Sequence, residues 1–181
     1  TYAVLNGEAE FQHYPVVSFQ PDAVFLELFK KMGITFELKN DLLKVFKTKE
    51  FQGVEANLNS CPDLFPVLAM LCAFAQTPSR LYGAPQLIHK ESNRIAKVAE
   101  LLQAVGVQCE ERPDGMLITP KPQSPISCPS FDYDTDQDHR LAFAAALLYS
   151  QGYPIRIQNP EVVRKSFPEF WQVVGLDLKQ F

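Results

Sequence analysis

The chain has 181 residues and a net charge of −4, with 46% apolar and 21% charged residues. This size and composition are typical of one globular domain, and the acidic balance argues against a nucleic-acid binder, which would usually be strongly basic. Its four cysteines, at positions 61, 72, 109 and 128, form no metal-ligand pattern because none is two or three residues from another. We therefore expect a single soluble, cytoplasmic domain over residues 1–181, with reduced thiols, no bound metal and no membrane-spanning segment.

Three predicted helices share the same ending, in which a glycine follows the last turn and an apolar residue follows the glycine. The glycines are Gly33, Gly106 and Gly175, about 70 residues apart. Each occupies the position where a helix closes in the left-handed backbone conformation that glycine adopts without strain. Short strands joined by turn residues follow the first two helices, and they predict hairpins of 35–38 with 42–46 and of 108–111 with 116–119.

Two more apolar helices alternate with these three. Asp63 and Asp138 precede them, at positions where an acidic side chain can act as an N-cap. A short strand follows each helix, so that the two pairs cover 64–75 with 79–82 and 141–149 with 154–157. The sequence therefore predicts an α/β (α+β) fold of repeated βαβαββ units, with helices packed on sheets, in which the chain starts inside its first unit.

Cations gather where the third predicted helix begins. Lys90 and Arg94 are four residues apart, so we expect them to share a helix face, with Glu91 offsetting part of their repulsion. A helix N-terminus attracts anions, and the run from His89 to Arg94 therefore predicts a small-molecule anion site. For an isolated run, a solvated and charged first turn remains the commoner explanation.

The tripeptide Asp138-His139-Arg140 places a second group of charges at a predicted helix start. The planar Arg140 guanidinium suits a carboxylate or a phosphate. The alternative is that Asp138 only caps the helix, that Arg140 is solvated and that His139 has a structural role.

Lys165 and Asp63 complete the candidate site. Ser166 and Glu169 have the spacing of a capping box, which would leave Lys165 just outside a helix N-terminus. Asp63 is either a cap or a carboxylate able to accept a hydroxyl proton. If the repeat brings equivalent helix starts to one face, these charges form a pocket for a doubly or triply charged anionic metabolite.

Four motifs together resemble a known family. They are the run Lys90-Glu91-Ser92-Asn93-Arg94-Ile95, the helix end from Leu102 to Gly106, Asp138-His139-Arg140 before an alanine-rich helix, and Lys165-Ser166-Phe167-Pro168. In this order and spacing they resemble the 5-enolpyruvylshikimate-3-phosphate synthases, the carboxyvinyl transferases of the shikimate pathway, from about Asp22 to Gly175. The related UDP-N-acetylglucosamine carboxyvinyl transferases share the fold, but the first and third motifs favour the shikimate family.

The resemblance implies a fold, a reaction and a missing partner domain. Enzymes of this family close two similar domains around their substrates, and each domain is a pseudo-threefold set of three βαβαββ units, the inverse α/β barrel. The reaction transfers the enolpyruvyl group of phosphoenolpyruvate to the 5-hydroxyl of shikimate 3-phosphate and releases phosphate, in aromatic amino-acid biosynthesis, without a cofactor. This chain would be the C-terminal domain of such a monomer, without its N-terminal domain, and inactive alone.

The resemblance also implies residue roles. Asp63 would accept the proton of the shikimate hydroxyl, and Glu91 would be the acid and base at the enolpyruvyl carbon. Shikimate 3-phosphate would contact Asp63, Gln86 and Lys90, whereas phosphoenolpyruvate would contact Arg94, His139, Arg140 and Lys165. The sequence departs from the family at Ile88, where Arg or Lys is frequent, and at Asn93, where Asp is common.

One alternative belongs to a different functional class. The chain would then be a stand-alone domain that binds anionic metabolites without catalysing a reaction.

Overall fold

The computed structural model describes residues 1–15, 17–121 and 128–177. Short helices and strands alternate along these residues. The α-helices are α1 (Tyr2–Asn6), α2 (Phe25–Met32), α3 (Phe65–Cys72), α4 (Arg94–Ala104), α5 (His139–Ser150) and α6 (Phe170–Val173). The strands are β1 (Glu8–Phe11), β2 (Phe36–Lys39), β3 (Leu42–Phe46), β4 (Glu55–Asn57), β5 (Ser79–Tyr82), β6 (Gln108–Arg112), β7 (Gly115–Thr119), β8 (Phe131–Asp134) and β9 (Ile155–Gln158). Four 3₁₀ turns, Pro21–Val24, Pro62–Leu64, Pro85–His89 and Pro160–Lys165, begin with proline, which suits the first turn of a helix.

The strands form three small sheets that repeat one pattern. The middle sheet has the order β4-β5-β7-β6, in which β4 and β5 are parallel and the other neighbours are antiparallel. The first sheet, β1-β3-β2, reproduces its antiparallel part, and the third, β8-β9, reproduces its parallel part. The middle unit, β4-α3-β5-α4-β6-β7, is thus a full βαβαββ unit, and the predicted repeat and α/β class are confirmed.

Local turn chemistry behaves as predicted. Gly33, Gly106 and Gly175 have φ angles of 75°, 80° and 70°, so all three follow their helices in the left-handed conformation. The β2–β3 hairpin turns at Asn40 and Asp41, which both have positive φ, as a type I′ turn requires. The second predicted hairpin is β6–β7.

The core is built around α3 and α5, which pack against each other. Seven of the eight residues of α3 are buried, as are Leu141, Ala142 and the segment 144–148 of α5. The alanines of α5 present little side-chain volume, which lets the helix approach its neighbours closely. The two helices also begin close together, since Arg140 in the first turn of α5 donates to Asp63, just before α3, at 2.8 Å.

Those two helix starts differ from each other. Asp138 caps α5 as predicted, since its Oδ1 accepts a hydrogen bond from the Arg140 N–H at 2.9 Å. The prediction that Asp63 is an N-cap is wrong, because Asp63 lies inside the 3₁₀ turn that precedes α3 and the cap positions are Cys61 and Leu64. Its carboxylate turns instead to arginine and lysine side chains from other elements.

No helix of the described residues has the length and hydropathy needed to cross a membrane.

Candidate active site

A buried arginine, Arg94, lies at the centre of the candidate site, with a side chain only 2% exposed. Its Nε donates to Asp138 Oδ2 at 2.7 Å, and Nη1 donates to Asp63 Oδ1 at 2.7 Å. Its Nη2 donates to Glu91 Oε2 at 2.8 Å and to Asp138 Oδ1 at 3.2 Å. The first residue of α4 therefore binds three carboxylates that come from three separate segments.

Asp63 in turn gathers three cations. Its Oδ1 lies 2.7 Å from Arg94 Nη1 and 3.6 Å from Lys90 Nζ, and its Oδ2 accepts a hydrogen bond from Arg140 Nη2 at 2.8 Å. Partial burial acts to raise the pKa of Asp63, but the Arg94 hydrogen bond and the nearby positive charges outweigh it, so the pKa lies below its ordinary value. Asp63 is therefore ionised at neutral pH, and one carboxylate marks the point where three cations converge.

Lys90 reaches this point from outside any helix. The prediction that it shares a helix face with Arg94 is wrong, because Lys90 is extended and α4 begins only at Arg94. The reason is Asn93, whose side chain caps α4 by accepting a hydrogen bond from the Ala96 N–H at 3.2 Å. Lys90 and Arg94 are nevertheless brought together, through Asp63 rather than through helical spacing.

Arg140 and His139 open α5 on the other side of the site. Arg140 Nε is buried and has no hydrogen-bond partner within the described part of the chain, which leaves one donor of the guanidinium unused. His139 packs edge-on against Phe143, with 5.9 Å between ring centroids. Its partial burial and the Arg140 charge lower the pKa of His139, so the imidazole is neutral at neutral pH and adds no positive charge.

Lys165 lies beside the turn that leads into α5, where its Nζ donates to the Gln137 carbonyl at 3.1 Å. The predicted capping box is wrong: Lys165 ends a 3₁₀ turn, α6 starts only at Phe170, and Glu169 makes no side-chain cap bond. Four residues of chain thus separate Lys165 from the short helix it was expected to precede.

Gln86 lies on the 3₁₀ turn before Lys90, and its Nε2 donates to the Asn59 carbonyl at 3.2 Å. This bond ties Gln86 to the loop that leads to Asp63. Within the described part of the chain Gln86 makes no hydrogen bond to the ion pairs around Arg94, so it lies near the site without joining the network.

Ser92 and Asp138 have parts in the site that the sequence did not predict. Ser92 is buried and its Oγ donates to Asp138 Oδ2 at 3.1 Å, and Asp138 binds Arg94 in addition to capping α5. The one available signal for Ser92 was its position between Glu91 and Arg94.

The charges in this network balance. Its cations are Lys90, Arg94 and Arg140, and its anions are Asp63, Glu91 and Asp138. An external anion that binds Lys90, Arg94 or Arg140 therefore competes with the chain's own carboxylates for these cations. Within residues 1–15, 17–121 and 128–177, no group of three or more His, Cys, Asp or Glu side chains is arranged to hold a metal ion.

Comparison with known proteins gives a consistent family. Residues 2–174 match a family model described as EPSP synthase (3-phosphoshikimate 1-carboxyvinyltransferase). The 3-phosphoshikimate 1-carboxyvinyltransferase of Chlamydia pneumoniae is 36% identical over 163 residues, which cover 89% of this chain and 35% of that protein. The enzyme of the same name from Methanoculleus marisnigri is 33% identical over 172 residues, covering 95% of this chain and 40% of that protein.

Two solved structures have the same fold. An EPSP synthase from Acinetobacter baumannii superposes with a TM-score of 0.78 at 24% identity, over 96% of this chain and 42% of that one. The enolpyruvyl transferase NikO from Streptomyces tendae gives a TM-score of 0.67 at 22% identity, over 97% of this chain and 41% of that one. These superpositions confirm the enolpyruvyl transferase fold, and the chain spans only about two fifths of the length of the proteins it matches.

Proposed function

Because the chain belongs to the EPSP synthase (3-phosphoshikimate 1-carboxyvinyltransferase) family, we propose that it is the C-terminal domain of a cytoplasmic, two-domain enzyme of that activity. The enzyme would transfer the enolpyruvyl group of phosphoenolpyruvate to the 5-hydroxyl of shikimate 3-phosphate and release phosphate. The observation that carries the proposal is the convergence of Lys90, Arg94 and Arg140 on one carboxylate of Asp63. An absent N-terminal domain would supply the rest of the site.

When phosphoenolpyruvate binds, its anionic groups would replace carboxylates of the chain as partners of the site's cations. The carboxylate and phosphate of phosphoenolpyruvate suit guanidinium groups, which can offer two parallel N–H donors to such an anion. Arg140, whose side chain is partly exposed, and the exposed Lys165 are available for this, and Arg94 becomes available as Asp63 and Glu91 release it. Lys90 and Gln86 would then contact shikimate 3-phosphate.

Four proton transfers follow from the chemistry. The substrate hydroxyl oxygen adds to C2 of phosphoenolpyruvate and gives its proton to Asp63, while C3 gains a proton from Glu91, which enters this step protonated and released from Arg94. The tetrahedral adduct then loses phosphate from C2, and the Asp63 proton passes to the departing phosphate. A C3 proton returns to Glu91, which restores the double bond and the starting protonation of both carboxylates.

The two carboxylates differ in a way that suits these roles. The Glu91 side chain is 51% exposed and has Arg94 as its one ion-pair partner among the described residues, so it can rotate toward a substrate carbon. Asp63 is a weak base while three cations hold down its pKa, and it becomes a better one when the ligand's anionic groups screen those cations. Substrate binding would therefore activate Asp63.

The test is an assay of phosphate release from shikimate 3-phosphate and phosphoenolpyruvate. We expect no turnover by the chain alone and clear turnover after co-expression with the N-terminal half. In that assembled enzyme, Glu91→Gln should lower kcat by about 100-fold or more, because a general acid–base group is lost, while the circular dichroism spectrum stays unchanged.

Glu100→Gln is the matched control. Glu100 lies on α4, is 52% exposed and pairs with a cation three residues away, as Glu91 does, but it lies outside the network. Turnover by the chain alone, or normal kcat in Glu91→Gln, contradicts the proposal. Tight binding of phosphoenolpyruvate by the chain alone, with no turnover in the assembled protein, would favour a binding domain without catalysis.

A further inference from the structure

The side chain of Asp138 is fully buried, at 0% exposure, and both of its oxygens are used twice. Oδ2 accepts hydrogen bonds from Arg94 Nε at 2.7 Å and from Ser92 Oγ at 3.1 Å. Oδ1 accepts from the Arg140 N–H at 2.9 Å and from Arg94 Nη2 at 3.2 Å. A helix cap needs only one of these four bonds, so capping does not account for the site around this carboxylate.

We propose that Asp138 is a positioning residue of the transferase site, one that fixes the Arg94 guanidinium relative to the first turn of α5 and so sets the separation of Arg94 and Arg140. The inference rests on the proposed function. Asp138 binds the side chain of Arg94 and the backbone N–H of Arg140, so one carboxylate contacts both arginines. Asp138 accepts hydrogen bonds from Nε and from one N–H of Nη2 of Arg94. The other bonded donors of the guanidinium point to Asp63 and Glu91.

The turn that precedes Asp138 also contacts a third cation, Lys165. Asp136 and Gln137 both have positive φ, at 49° and 58°, a conformation that costs free energy in residues other than glycine. The turn is held by the Asp138 N–H bond to the Thr135 carbonyl at 2.8 Å and by the Asp136 N–H bond to Asp134 Oδ1 at 3.0 Å.

This conformation directs the Gln137 carbonyl to Lys165 Nζ, at 3.1 Å. Arg94, Arg140 and Lys165 are therefore all placed by one short segment. A shift of Asp138 would move all three cations proposed to bind phosphoenolpyruvate.

The Asp138→Asn variant distinguishes a role in positioning the arginines from an effect of the site's net charge on anion binding. The asparagine can still accept the cap bond, but it holds Arg94 more weakly and removes one negative charge from the site. If net charge alone governs anion binding, the KM for phosphoenolpyruvate should fall. If Asp138 positions the arginines, the KM should rise by about tenfold or more, because small displacements of binding groups are costly.

The assembled enzyme is used for this comparison, with Asp132→Asn as control. Asp132 also pairs with an arginine Nε, that of Arg156 at 2.6 Å, but on the exposed surface, and the charge change is identical. We expect an unchanged KM in the control. An unchanged or lower KM in Asp138→Asn would overturn the inference.

A second measurement needs neither mutation nor activity. In the ¹⁵N-labelled 181-residue chain, the Arg94 Nε–H resonance should persist at a pH at which the exposed Arg156 Nε–H has exchanged with water. Equal exchange of the two resonances would overturn the inference even if Asp138→Asn failed to fold. Protection of Arg94 without turnover in the assembled protein would leave the positioning intact and contradict the proposed function instead.

Discussion

Arg94 keeps a full positive charge in a place that water barely reaches. Burial acts to lower the pKa of its guanidinium, but the hydrogen bonds and charges of Asp138 and Asp63 reverse this, so the pKa is raised above its ordinary value. Taking one partner out of such a buried set is costly, because the remaining charges lose their compensation. The fully buried Asp138 would be left with hydrogen bonds only from Ser92 and the Arg140 N–H.

We therefore expect Arg94→Met, which keeps much of the side-chain volume, to lower the free energy of unfolding by about 3–5 kcal/mol. Urea unfolding followed by circular dichroism measures this. Arg156→Met is the matched control, since its ion pair with Asp132 is exposed and should contribute little. Similar unfolding midpoints for the two variants would show that the buried pairs do not hold the site together.

At the level of elements, sequence succeeded where the signal was local. The glycine after each of three helices and the Asn40-Asp41 turn act through their own backbone conformations, so no distant contact is needed to recognise them. Asp138 was predictable as a cap for the same reason. The fold class followed because these local signals recur at a constant spacing.

Sequence failed where distant contacts decided the outcome, where elements were too short, and where one local signal masked another. Asp63 looks like a cap, but three cations from two other segments claim its carboxylate. The strands β1, β4 and β8 have only three or four residues and alternate with charged side chains, and α1 has five, so each signal was too short to identify. The helical spacing of Lys90 and Arg94 misled because Asn93, between them, caps the helix.

Gly115, on β7 of the middle sheet, offers a test of how closely β5 and β7 must pack. A Cβ on Gly115 would collide with the Leu81 carbonyl oxygen and stand 2.9 Å from Tyr82 Cα, both on the neighbouring strand β5. A Cβ on Gly33 would meet nothing within 4 Å, although φ there is +75°. We expect Gly33→Ala to cost about 1–2 kcal/mol for its left-handed backbone.

Gly115→Ala should cost more, at least about 3 kcal/mol, because two backbones must separate. Urea unfolding of both variants gives the comparison. Equal losses of stability would mean that β5 and β7 can part without consequence.

Among the described residues, the three units differ in the number of strands in their sheets. The middle sheet has four strands, with β5 and β7 paired on both sides, whereas β1 and β9 each have one free edge. Beside β1 a largely apolar cleft of about 760 Å³ reaches α6, and Phe11 and Val173 remain substantially exposed in it. Asp63 and Arg94 belong to the middle unit, but Arg140 and Lys165 belong to the third, so the site joins the unit with a four-stranded sheet to the unit with a two-stranded sheet.

Hydrogen exchange should reveal this difference, because amides with few neighbours open locally while central strands open only on global unfolding. In the chain alone we expect the slowest amides in β5 and β7, and exchange about 100-fold faster in β1 and β9. Measured by NMR at neutral pH, such a gradient would mean that Arg140 and Lys165 stand on the less stable part of the fold. The anion site would then be only partly ordered in the isolated chain, and weak binding of phosphoenolpyruvate would follow from its dynamics as well as from its missing half. Uniform protection across the three sheets would contradict this and assign weak binding to missing contacts alone.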